Sequence, residues 1–415
     1  MLLSYPGLTG PAELALGDAL GLRAQGHEVL FGCDTRRDLG AIERARRPDG
    51  SQDFGEGAGV GSEGADPLAH QDFARAIDAA GFERMAELTL CKSRPGPLEV
   101  ARDVRRLRRR MASADIVHTR FSHELLIALA AARLMRRPPK IVHSVEKLPA
   151  APRGSVGRLL RSADALVVPS RHALERLIGC RGAEGLRRER LHVLPGRVDF
   201  EQTFTPGDGG ALRDELGLPR DALVFGIVSR VKVERRHELL VRAFAEVAAR
   251  LGQARLCVVG RGEHRPAIEA LVAELGLGAR VTFAGYRTGA DLVAAYRAID
   301  VQVWLVQGND GTSRAVLEAL ACGTPVIAGS GGAQAELVRD GRDGRVVALD
   351  PLWRPGQPSG RAELDGLAAA LLDLSDPERL TAMRASARRR AREFSPAARA
   401  AGLLRIYEDA LGAAG

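Results

Sequence analysis

Gln307-Gly308-Asn309-Asp310-Gly311-Thr312-Ser313-Arg314-Ala315-Val316-Leu317-Glu318-Ala319-Leu320-Ala321-Cys322-Gly323-Thr324-Pro325-Val326-Ile327 reads as a strand-exit loop, a helix, a helix stop and a new strand. Thr312 or Ser313 is placed to cap the helix, because a hydroxyl there accepts from free backbone N–H groups. Gly323 stands where a helix-ending glycine belongs, and Pro325 prevents continuation. Val316, Ala319 and Leu320 share one face. At about 100° per residue, Glu318 points away from it. Asp310 lies in the loop ahead of the helix. The glycines let a ligand approach backbone, and the first-turn N–H groups favour an anion. Two readings stay open here. One is a surface helix with a solvated Glu318. The other is an anion seat beside two carboxylates, which suits the diphosphate, ribose and sugar hydroxyls of a nucleotide-sugar.

Working outward, strands and helices alternate. Upstream come a strand at Leu223–Val228, a helix at His237–Arg250, a strand at Ala254–Val259 and a helix at Pro266–Leu275. Strand Val281–Ala284, helix Ala290–Ala298 and strand Val301–Leu305 follow. This order predicts a parallel sheet with covering helices. The first strand exits into Ser229-Arg230-Val231-Lys232-Val233-Glu234-Arg235-Arg236. The second exits into Gly260-Arg261-Gly262, where the third glycine of a dinucleotide fingerprint is replaced by Arg265.

Phe200–Arg220 reads as a linker, and before it lies another α/β series of about seven strands. Its first βα turn is Gly7-Leu8-Thr9-Gly10, either a tight turn or a close approach to phosphate or sugar. The first strand is either short or begins upstream of Met1. Arg47–Ala69 is Gly-, Asp- and Ser-rich and is expected to be a flexible loop. A short strand is expected at Glu87–Cys91. Helix Leu98–Met111 carries Arg102, Arg105, Arg106, Arg108, Arg109 and Arg110. It is either a solvated face or a patch for an anionic membrane or acceptor phosphates. Strand Asp115–His118 exits into Thr119-Arg120-Phe121-Ser122-His123, and strand Lys140–Ser144 into Val145-Glu146-Lys147. Ionisable groups at such exits lie where α/β sheets bind ligands. A final helix at Ala397–Leu411 has apolar residues at helical spacing and must pack on the rest of the chain.

Composition narrows the class. With 415 residues, 45% of them hydrophobic, the chain predicts two or three globular domains. It has no apolar run of about 18 residues and no signal-peptide pattern at Met1–Pro6. Its five cysteines are scattered without a Cys-x-x-Cys pair. Neither a disulfide framework nor a zinc site is therefore indicated, and a cytoplasmic setting fits. The net charge of +8 comes almost wholly from arginine. Its abundance, with that of alanine and glycine, points to GC-rich coding, so no nucleic-acid partner is inferred.

Two α/β series, the arginine-bearing turn after Val228 and the Asp310–Glu318 pair together resemble the retaining glycosyltransferases of family four. The likeness covers nearly the whole chain and is strongest from Phe225 to Val347. It implies a GT-B fold: two Rossmann-like domains (1–200 and 201–393) facing each other across a cleft, with a C-terminal helix (394–415) returning to the first. It implies a nucleoside-diphosphate-sugar donor, and as acceptor a glycan, a lipid-linked intermediate or a small molecule. The activity expected is retaining sugar transfer in cell-surface polysaccharide, lipopolysaccharide or glycolipid synthesis. The family's first signature Glu is Asp310 here. Glu318 is implied to bond the ribose hydroxyls, and Asp310, Gly311, Thr312 and Ser313 to hold sugar and diphosphate. Arg230 and Arg235, with Lys232 as substitute, are implied to hold the diphosphate, beside Gly10, Gly260 and Gly262. Gly7, Arg120 and Glu146 fall on the acceptor side, and His118 or His123 takes the family's first-domain histidine role. No Asp-x-Asp occurs, so no metal or other cofactor is expected. An epimerase or phosphorylase on the same scaffold, or a sugar-nucleotide-binding protein without catalysis, are the alternatives.

Overall fold

Apolar runs of four or five residues, too short for helices, become parallel strands in both halves of the chain. The computed structural model describes residues 1–3, 10–34, 73–88, 96–145, 154–180, 183–306 and 313–412. They divide into two compact units: residues 1–169, 174–194 and 396–415, and residues 170–173 and 195–395.

In the first unit, β1 (Leu2–Leu3), β2 (Leu30–Asp34) and β3 (Glu83–Leu88) pair in that order. Strands β4 (Ile116–Thr119), β5 (Lys140–Ser144), β6 (Ala165–Val168) and β7 (Leu191–Val193) form a second parallel run, with β1 beside β4. The helices in chain order are α1 (Gly10–Ala24), α2 (Phe73–Ala79), α3 (Pro97–Arg110), α4 (Ser122–Arg133), α5 (Gly154–Arg161) and α6 (Arg171–Ile178). Strand β3 begins four residues before the expected Glu87. Its pairing with β2, Leu30 opposite Glu83 and Gly32 opposite Met85, sets the register, and local apolar content does not report that. The expected loop at Arg47–Ala69 lies outside the described residues.

The second unit holds β8 (Val224–Val228), β9 (Arg255–Val259), β10 (Val281–Gly285), β11 (Val301–Trp304), β12 (Val326–Gly329) and β13 (Gly344–Val347). Its helices are α7 (Gly210–Glu215), α8 (His237–Ala248), α9 (Arg265–Glu274), α10 (Gly289–Ala298), α11 (Arg314–Ala321), α12 (Gln334–Leu337), α13 (Arg361–Asp373) and α14 (Pro377–Arg392). Every residue of β8, β11 and β12 is buried, as helix-covered parallel strands require. The spatial order is β10-β9-β8-β11-β12-β13. It reverses between β8 and β11, the switch point beyond whose carboxyl ends open α/β sheets place their ligands.

The last helix, α15 (Pro396–Gly412), lies against α1 within the first unit. Gly21 permits the approach, since a Cβ there would sit 2.6 Å from Ala400 Cβ. Leu403, Ile406, Tyr407 and Ala410 of α15 join Val142, Ala165 and Val167 in one core cluster. The apolar stripe read in the sequence thus finds the sheet of the first unit.

Candidate functional site

Helix α11 ends as its sequence predicts. Gly323 has φ +79, its N–H donates to Leu320 O, and Thr324 N–H donates to Ala319 O. This is the double bond pattern of a glycine-terminated helix. The start differs from the sequence expectation. Ser313 occupies the cap position at φ +42, is fully buried, and its hydroxyl makes no capping bond. A capping residue ordinarily has extended backbone, and Ser313 does not. Asp310, Gly311 and Thr312 lie outside the described residues.

The reading of α11 as a surface helix is also corrected. Residues Ala315 to Ala321 are all buried, and Glu318 is only 6% exposed. The helix sits between the sheet and α14, and only its first residue, Arg314, is exposed. Glu318 Oε2 accepts from the Tyr296 hydroxyl at 2.8 Å, and Oε1 from Arg314 at 3.2 Å. Burial and the facing carboxylate hold the Tyr296 phenol well above its usual range, so Tyr296 remains a donor. Each Glu318 oxygen has one such bond and retains a lone pair for a ligand hydroxyl.

The turn after β8 is built on a deeply anchored arginine. Arg236 has φ +56, makes paired bonds of 2.6 and 2.8 Å to Glu363, and stacks on Trp353 at 4.4 Å. Burial holds His237, next in line, neutral, with its pKa lowered to about 3. This leaves Arg230 exposed and Arg235 half-buried. The Arg235 guanidinium lies 5.1 Å from the ring centre of Trp304, the last residue of β11. Arg235 is therefore held at the exit of the strand that leads toward α11. Lys232 is engaged elsewhere, in a 3.2 Å ion pair with Glu263.

Gly260 and Gly262 serve close backbone packing at this edge. A Cβ on Gly260, at φ +142, would lie 1.8 Å from Ser229 O, and one on Gly262 2.2 Å from Val231 O. The β9 exit thus lies directly on the β8 exit, and Val231 N–H donates to Arg261 O.

In the first unit His118 is 2% exposed, and both ring nitrogens are occupied. Nδ1 is 2.7 Å from the Tyr407 hydroxyl and Nε2 is 2.8 Å from Ser144 Oγ. Burial, then the Arg120 charge, lowers its pKa well below the usual imidazole value. Arg120 is equally enclosed, with a 2.6 Å ion pair to Asp18. Both residues bind the interior of the unit. His123, in the first turn of α4, is half-buried, and its Nε2 has no partner among the described residues. Gly10 is the first residue of α1 and not part of a loop. Gly7 and Glu146 lie outside the described residues.

Sequence reasoning missed Tyr296 and Trp304. Trp304 left a signal: one of only two tryptophans in the chain, it closes a buried strand beside the point where the strand order reverses. Tyr296 left none, because its spacing in α10 is that of an ordinary core residue.

Comparison with known proteins gives one consistent picture. A family model described as "Glycosyl transferases group 1" matches residues 222–353, and one described as "Glycosyltransferase Family 4" matches residues 19–202. A D-inositol 3-phosphate glycosyltransferase of Stackebrandtia nassauensis is 35% identical over 266 residues, 61% of this chain and 56% of that protein. The chain spans little more than half the length of the curated relatives it matches. The crystal structure of a glycosyltransferase from Rickettsia africae superposes with TM-score 0.74 at 15% identity, covering 99% of this chain and 97% of the other. Anabaena HepE in complex with UDP-glucose gives 0.67 at 20% identity, covering 98% and 97%. These likenesses are structural, and the fold they share with this chain is GT-B.

Proposed function

We propose, because this chain belongs to the group 1, family-four glycosyltransferases, that it moves a sugar from a nucleoside-diphosphate-sugar to an acceptor hydroxyl with retention at the anomeric carbon. The carrying observation is the Arg235–Trp304 stack. It holds a cation at the exit of β11, the strand whose continuation leads to the buried Glu318 carboxylate.

In this reading Glu318 takes the ribose hydroxyls. Arg230 and Arg235 neutralise the diphosphate as it departs, a term that grows with developing charge and therefore accelerates the chemical step. Asp310 and the N–H groups of Gly311, Thr312 and Ser313 hold the sugar and the adjoining phosphate. Retention follows a front-face route. The bond from the anomeric carbon to the phosphate oxygen breaks, the acceptor oxygen bonds to the same face, and the leaving phosphate takes the acceptor's proton. Such a route asks the protein for alignment and charge rather than a nucleophile. Lys232 is a reserve cation, released only if its pair with Glu263 opens. His123 is the first-domain histidine retained in the proposal, because Tyr407 and Ser144 already occupy His118.

The test is nucleotide release from UDP-, GDP-, ADP- and dTDP-sugars, with calorimetry on the free diphosphates. One donor is expected to be hydrolysed slowly without acceptor. A modified sugar at full yield without acceptor would point to an epimerase. Absence of binding by every diphosphate would end the transferase reading.

The arginine helix favours an anionic acceptor or membrane surface. Val104 and Leu107 of α3 are buried, while Arg102, Arg105, Arg108 and Arg109 are exposed beside Leu98, itself 82% exposed. Among the described residues no helix is long and apolar enough to cross a membrane, so contact would be peripheral. Each basic residue near an anionic surface contributes about 1 kcal/mol. Converting Arg102, Arg105, Arg108 and Arg109 to glutamine is expected to weaken sedimentation with phosphatidylglycerol vesicles by at least tenfold. Unchanged sedimentation would leave α3 a solvated face.

A further inference from the structure

The strands of the second unit are parallel, so the residues preceding them gather at the edge opposite Arg230, Arg235 and Ser313. That opposite edge contains a cavity of about 680 Å³. Its walls are the segment Pro206–Gly210, the residues leading into β11 and β12, and α14. Five arginines line it, Arg213, Arg220, Arg297, Arg384 and Arg388, against two carboxylates, Asp208 and Asp300.

The arginines are not equivalent. Arg213 belongs to the wall, donating to Ala298 O, Arg220 O, Ala222 O and Asp300. Arg384 shares Asp300, and Arg220 pairs with Asp214. Arg297 and Arg388 are bonded to neutral oxygens alone. Arg297 donates to Thr205 O at 2.8 Å and Thr205 Oγ1 at 2.7 Å. Arg388 donates to Phe204 O at 3.1 Å and Ala321 O at 2.6 Å. Burial, then the nearby Arg392 charge, pulls Arg388 below the usual arginine range, against the weaker opposing effect of Glu201. Two half-buried guanidiniums therefore line one concavity, and among the described residues no carboxylate is hydrogen-bonded to either.

We propose that this cavity is a binding site for a small phosphate-bearing molecule, separate from the donor site. Guanidinium forks match phosphate oxygens in geometry and charge. The volume suits a small organic ligand and exceeds what a lone phosphate fills, so a sugar phosphate is the class that fits. The segment over the cavity lies directly on Arg297. A Cβ on Gly207 would fall 2.8 Å from Arg297 Nε, and one on Gly209 2.4 Å from Ala298 N. A bound ligand would therefore order this segment as well as the arginines.

The test uses the full chain carrying Arg230→Ala and Arg235→Ala, which silences the donor site and keeps the result independent of the activity proposed above. Glucose 6-phosphate and inorganic phosphate are titrated by calorimetry, with sulfate as control. Glucose 6-phosphate is expected to bind more tightly than either inorganic anion. Arg297→Gln with Arg388→Gln should weaken it at least tenfold, since each lost charge-assisted bond costs about that factor. The exposed Arg384→Gln, which spares the packing, should weaken it severalfold. Hydrogen exchange on the otherwise unaltered chain should slow at 205–210 and 384–388 when glucose 6-phosphate is added. Equal binding of sulfate, affinity unchanged by Arg384→Gln, or no protection of these segments would each overturn the proposal.

Discussion

Glu318→Ala is expected to lower nucleotide release from the donor at least about a hundredfold while the protein stays folded. The alanine loses two hydrogen bonds from ribose hydroxyls to a charged acceptor, each contributing roughly 1.5–3 kcal/mol. The carboxylate is pre-oriented by Tyr296 at 2.8 Å and Arg314 at 3.2 Å, so little ordering cost is left at binding. The substitution also strands the buried Tyr296 hydroxyl, at about 1–3 kcal/mol of stability. Two further variants separate these effects. Tyr296→Phe removes the hydroxyl and keeps the carboxylate, so release should stay within several-fold of the parent. Glu318→Gln keeps shape and one acceptor but loses the charge, so it should fall between parent and alanine. Parent-like release from Glu318→Ala, under conditions where Arg235→Ala is impaired, would remove Glu318 from the donor site.

The largest stability effect is expected at Asp18→Asn. Asp18 is fully enclosed between two arginines, with Arg120 at 2.6 Å and Arg399 at 2.6 and 3.1 Å. Arg399 also donates to Leu194 O at 3.1 Å. One carboxylate thus joins α1, the β4 exit and α15. Neutralising it removes the charged acceptor that two buried guanidiniums share, and breaking a buried pair from one side costs about 3–5 kcal/mol. The midpoint of thermal unfolding should fall by many degrees, with hydrogen exchange in α15 accelerating first. A midpoint within two or three degrees of the parent (about 1 kcal/mol or less) would show that this cluster does not hold α15.

The same residue predicts a pH dependence. Burial alone would raise its pKa, but Arg399 and Arg120 outweigh that and bring it from 3.8 to about 2. The unfolded chain therefore takes up the proton first as pH falls. Asp18's contribution, on the order of 2 kcal/mol, is complete above about pH 4 and is lost as pH falls through about 2. In Asp18→Asn this component of acid unfolding should be absent.

The sequence by itself determined the architecture of this protein. Runs such as Val224–Val228 and Val326–Gly329 alternate with helical spacing, and that alternation predicts parallel sheets. It also determined where α11 stops, because Gly323 is a local conformational requirement, and which side chains to watch, because Asp310 and Glu318 stand eight positions apart across a loop and a helix start. Only the tertiary structure decided how Glu318 and the arginines are held. The burial of Glu318, its bond from Tyr296, the seat of Arg235 on Trp304 and the enclosure of Arg120 by Asp18 join residues from 22 to 102 positions apart. The bond from Arg399 to Asp18 spans 381 positions. Periodicity reports which face of an element is apolar. It does not report which element will cover the other face, and that cover turned a seemingly solvated glutamate into a buried acceptor and an apparent acceptor-site arginine into an interior ion pair.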